Sequence, residues 1–81
     1  MKIIVIHHES NVIWGVGSTS DDADANAVEN GYSRSTDELV SYRATNGAVE
    51  IIEEMGGYDA MQLGAVRIVG GVAYAVEELA S

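Results

Sequence analysis

An apolar run from Val12 closes on Gly15 and Gly17, passes through Ser18-Thr19-Ser20, and enters an alanine-containing segment opened by Asp21, Asp22 and Asp24. That order calls for a strand, a tight exit, a helix N-cap and an acidic first turn. Thr19 fits the N-cap, and Asp22 three residues on completes a capping-box-like pair. Asp21 and Asp22 fall where the helix dipole favours negative charge. Ala23 and Ala27, four residues apart, give the helix a narrow face that can lie close on a sheet. Gly31 is placed to take the left-handed position that ends it. A strand that must receive a close-packed helix makes this an α+β domain.

The flanking segments extend that plan. Lys2 to His8 is rich in β-branched residues and reaches Val12–Val16 across Glu9-Ser10-Asn11, which reads as a β-hairpin. Gly31 to Asp37 is polar and loop-like. Ser35-Thr36-Asp37-Glu38 matches a capping box, yet Leu39 to Arg43 looks as much like a strand, with Val40 and Tyr42 on one side. The strand is expected, because Thr45 or Asn46 soon starts another helix. Ala48, Ile51, Ile52 and Met55 follow the spacing of an amphipathic helix, with Glu50, Glu53 and Glu54 outward and Gly56-Gly57 as its stop. Tyr58 to Gly64 is expected as a connector with room for one helical turn around Asp59-Ala60-Met61.

Ala65–Val69 and Val72–Val76 flank Gly70-Gly71, whose positive φ angles suit a two-residue hairpin turn. Glu77 to Ser81 is expected to fray. The prediction is one domain over residues 1–81, ordered ββαβαββ: an antiparallel-rich sheet with two helices packed on one face. The edge strands of such a sheet permit a homodimer by edge pairing.

With 81 residues, the chain buries only about 60–65% of the surface its unfolded form exposes. It has no cysteine, so disulfides and thiolate metal sites are excluded. The start, MKIIVIHH, is too short and polar for a signal peptide, and no apolar window approaches the roughly 20 residues of a membrane span. A soluble, cytoplasmic protein is expected.

Charge is the strongest global signal. Thirteen acidic residues face Lys2, Arg34, Arg43 and Arg67, for a formal charge of −9. Direct nucleic-acid binding needs a basic footprint, and there is none. An acidic surface instead steers basic partners toward it. The carboxylates gather at Asp21, Asp22, Asp24 and Glu29 on the first helix, at Glu50, Glu53 and Glu54 on the second, and at Glu77 and Glu78 in the tail. A solvated helix face explains any one cluster. Three are less easily dismissed, because ordinary helix surfaces pair glutamate with lysine four residues away, and Lys2 is the only lysine here. The seven helix carboxylates are the candidate partner-binding residues, the first helix favoured because three of its carboxylates sit within one turn, and the expected partner is a basic protein surface.

No motif reaches catalytic grade. His7 and His8 are adjacent and point to opposite faces of a strand, so they cannot share an ion. His7 and Glu9 share a face but lack two further ligands. Asp22-x-Asp24-x-Asn26 imitates a calcium loop, but Ala27 and Ser33 stand where its glycine and glutamate belong. Gly15-x-Gly17 lacks a third glycine at Ser20, and Asp21 and Asp22 would repel a phosphate. No catalytic residue, metal or cofactor is expected, and the chain reads as a non-enzymatic binder.

The run WGVGSTSDDADANAVENG, from Trp14 to Gly31, resembles the strand, Gly-x-Thr and alanine-containing helix of HicB-type antitoxins and related small ββα domains. The resemblance covers about a quarter of the chain and implies a module that neutralises one partner. Those antitoxins usually add a DNA-binding part, and this chain has no basic segment to serve as one. In size, acidity and lack of enzymatic motifs the chain also looks like the short inhibitors that phages and plasmids carry against bacterial defence systems, anti-CRISPR proteins among them. That likeness is one of profile and implies a stoichiometric inhibitor whose carboxylates occupy a basic, nucleic-acid-binding groove.

Overall fold

Local chemistry sets the elements where expected. In the computed structural model, which describes residues 1–80, the elements are β1 (Lys2–His7), β2 (Val12–Gly17), α1 (Ser20–Glu29), β3 (Val40–Ala44), α2 (Asn46–Met55), α3 (Gly57–Gln62), β4 (Val66–Val69), β5 (Val72–Ala75) and α4 (Val76–Leu79). The Thr19 hydroxyl accepts the Asp22 amide at 3.1 Å and starts α1. At its end Gly31 has φ 96°, with bonds from Gly31 N–H to Val28 O and from Tyr32 N–H to Ala27 O, a Schellman closure. Thr45 caps α2 by accepting the Ala48 amide. Gly70 and Gly71, at φ 59° and 79°, make the two-residue turn between β4 and β5. Ser35 does act as a cap, but of a short 3-10 turn, Thr36–Glu38, that leads into strand β3.

The strands form one α+β mixed sheet in the order β2-β1-β3-β5-β4, every pairing antiparallel except β3 with β5. No helix among the described residues is long and apolar enough to cross a membrane.

The helices do not share one face. Ile4 and Ile6 of β1 pack with Ala48, Val49 and Ile52 of α2 and Ala60 of α3, whereas Val5 packs with Ala23 and Ala27 of α1. Neighbouring residues of a strand point to opposite faces, so α1 lies on one side of the sheet and α2 with α3 on the other. The cause is visible in β1, where Ile4, Val5 and Ile6 are all fully buried. An unbroken apolar run marks a strand covered on both faces.

A bulge in β2 serves both sides. Gly15 pairs with Val5 and Ile13 with Ile6, so Trp14 is the extra residue. Ile13 then joins the α2 side, while Trp14 turns to Tyr32 on the α1 side, with ring centroids 5.4 Å apart.

Two further segments depart from expectation. The connector after α2 is a six-residue helix, α3, whose Ala60 is fully buried. Gly56, at φ 90°, ends α2, and Gly57 starts α3 against the Ile13 carbonyl, where any Cβ would collide. The acidic tail is helical over Val76–Leu79, because the Glu78 carboxylate accepts the Ala75 amide at 2.8 Å and the Thr45 hydroxyl at 2.7 Å. Ser81, the last residue of that expected frayed end, lies outside the described residues.

Tyr32 closes the α1 side, 5% exposed, with its hydroxyl donating to the Ser35 carbonyl at 2.9 Å. Burial pushes this hydroxyl above its ordinary range; Glu38 and Asp24 push the same way and Arg34 opposes them. The native state therefore holds the phenolic proton more tightly than the unfolded chain does. Its contribution to stability is full below the unfolded value of about 10 and is lost as pH rises through the higher folded value. Denaturant midpoints measured at increasing alkaline pH are expected to fall for the wild type and to fall less steeply for Tyr32→Phe.

Candidate functional site

The seven predicted carboxylates divide between the two faces of the sheet. Asp21, Asp22 and Glu29 are exposed on α1 and Asp24 is half-buried, while Glu50, Glu53 and Glu54 are all exposed on α2. None of the seven is in an ion pair among the described residues. Because α1 and α2 lie on opposite sides, the two clusters form two separate surfaces. The α2 surface gains Asp59, exposed in the first turn of α3. Neither α2 nor α3 contains a basic residue. In the α1 cluster only Asp24 is partly covered.

Between the two surfaces, along the outer edge of β2, runs a groove of about 560 Å³. Its apolar lining includes Ile13, Val16 and Ile52, and Trp14 and Tyr58 add aromatic surface. Glu53 and Lys2 line it on the α2 side and Asn26 and Asn30 on the α1 side. The asparagines complete the edge strand: Asn26 Oδ1 accepts the Val16 amide at 3.0 Å, and Asn30 Nδ2 donates to the Trp14 carbonyl at 2.7 Å. Side-chain amides here stand in for the peptide groups of a neighbouring strand, which blocks edge pairing at β2. The Trp14 indole N–H has no hydrogen-bond partner among the described residues. No motif in the sequence marks this groove. Its only local trace is the i, i+4 stripe of Asp22, Asn26 and Asn30 on α1.

The histidines serve the ends of strands. His7 is buried and its Nδ1 lies 2.7 Å from Ser10 Oγ, closing the turn between β1 and β2. A serine–histidine pair invites a catalytic reading, but the third position is wrong. Where activation of a serine needs a group that stabilises the imidazolium, the Arg34 guanidinium sits 3.5 Å from Nε2. His8 Nε2 lies 2.6 Å from the Tyr42 hydroxyl on the sheet's other face. No three histidine or acidic side chains among the described residues gather into a metal-sized cluster.

No protein-family model, curated protein or solved structure matches this chain.

Proposed function

We propose that this chain is a non-catalytic binding protein that docks on a basic protein surface of the kind nucleic acid occupies, its carboxylates standing in for phosphates. The reading is that of the small defence inhibitors the chain resembles in profile. The observation that carries it is the α2–α3 surface: Glu50, Glu53, Glu54 and Asp59 are exposed together with no basic residue on either helix. An ordinary solvated helix would intersperse lysines to relieve that repulsion.

Glu53 also borders the apolar groove beside Ile52 and Tyr58. A partner's lysine or arginine that meets this carboxylate can lay its aliphatic stem along the groove. The partner is therefore expected to be read by charge at long range and by the groove at contact, with the α2 surface leading and the α1 surface secondary.

Glu50, Glu53 and Glu54 reversed together to lysine are expected to lower affinity for the captured partner at least tenfold, about 1.4 kcal/mol. The check is affinity capture from a bacterial lysate followed by calorimetry on the identified partner, with thermal melts confirming that the variant folds. Unchanged affinity in that variant would remove the α2 surface from the account.

A further inference from the structure

We infer that the half of the sheet left bare by α1 is the face on which a second copy of this chain docks. On the α1 side the buried cluster draws on β1, β2, α1 and the loop through Tyr32 and Leu39. Strand registers place Arg43, Val72, Tyr74, Arg67 and Val69 on that same face, farther along the sheet: Arg43 pairs with Ile3 and with Val72, Val72 with Val69, and Tyr74 with Arg67. Arg43, Arg67 and Val69 are exposed, Val69 to 48%. Two of the chain's four basic residues thus stand on an acid-free strip of sheet, and neither is in an ion pair among the described residues. In a protein of net charge −9, arginines left unpaired beside exposed valine call for an anionic partner with an apolar centre.

The chain itself exposes that complement. Helical spacing turns Asp21, Ala25, Val28 and Glu29 of α1 away from the buried Ala23 and Ala27, and Val28 is 56% exposed. Laid on the bare half-sheet of a second copy, Ala25 and Val28 meet Val69, Val72 and Tyr74, while Asp21 and Glu29 come to the arginines. A two-fold axis makes the contact reciprocal, with both α1 helices side by side between two sheets, so the assembly closes at two. It differs from pairing at the sheet edge, and it leaves both α2 surfaces outward and open to the partner proposed above.

Sedimentation equilibrium at physiological salt, carried to high concentration, tests this. The wild type is expected to reach twice its 8.6 kDa mass. The double variants Arg43→Glu/Arg67→Glu and Asp21→Lys/Glu29→Lys are each expected to remain monomeric, with wild-type circular dichroism. Mixed one to one, the two variants are expected to form a heterodimer, because the reversed charges again meet opposites at both contacts. A wild type that stays monomeric into the millimolar range overturns the inference, as does a mixture that fails to associate. Retention of a labelled single-stranded oligonucleotide by the wild type and not by the arginine variant would also overturn it, by assigning the face to nucleic acid. Capture of the basic partner is unaffected by Arg43→Glu/Arg67→Glu, whose residues lie outside the proposed acidic surfaces, so the two readings fail separately.

Discussion

Gly15→Ala is expected to be among the most damaging conservative changes in the chain. A Cβ at Gly15 would lie 2.1 Å from the Ala23 carbonyl oxygen and 2.7 Å from the Ala27 amide nitrogen. Both are backbone atoms of α1, so no rotamer change relieves the overlap. The helix must lift from β2, which breaks the Asn26 and Asn30 bonds to the edge strand and uncovers Val5. At about 0.05–0.15 kcal/mol per residue the domain has roughly 4–12 kcal/mol in total. A loss on the order of 4 kcal/mol or more therefore takes a large share of it. In chemical denaturation monitored by circular dichroism, Gly15→Ala should have a midpoint far below that of the wild type, or no cooperative transition. A near-native midpoint would mean that α1 does not rest on β2 as described.

Ile52→Ala is the second large effect. Ile52 is 7% exposed, in the cluster with Ile4, Ile6 and Ile13. The expected cost is about 2–5 kcal/mol. Ile51, only partly buried against the same cluster, should cost clearly less when cut to alanine. Equal costs at the two positions would show that α2 is rotated from its assigned orientation.

The contrast between these residues marks how far the sequence could be read. Elements whose shape is set by local chemistry were legible: Thr19 and Gly31 bound α1, and Gly70-Gly71 turns β4 into β5. The alternation within α2 correctly set Ile52 inside and Glu50, Glu53 and Glu54 outside, although Met55 is only partly covered. What sequence distance hides was not legible. The Gly56-Gly57 pair ends α2, but Gly57 also admits α3 against the Ile13 carbonyl, more than forty residues back in the chain. The expectation of a frayed end at Glu77 to Ser81 fails at Glu78, whose carboxylate ties α4 to the Thr45 cap. Six of the seven candidate carboxylates are exposed as expected, and Asp24 is half-buried. Their division between two faces follows from both faces of β1 being buried, of which the only sequence sign is the unbroken apolar run Ile4-Val5-Ile6. The groove depends on three segments meeting at β2 and leaves almost no mark in any one of them.

The most direct test of the binding account is competition. With the captured partner loaded with its own labelled nucleic acid, titration with this chain should displace the label at one-to-one stoichiometry. Displacement should weaken steeply as salt rises, since attraction between exposed charges is screened beyond roughly 8–10 Å at physiological ionic strength. Nucleic acid and this chain bound to the partner at the same time, with an affinity that salt does not change, would contradict the account.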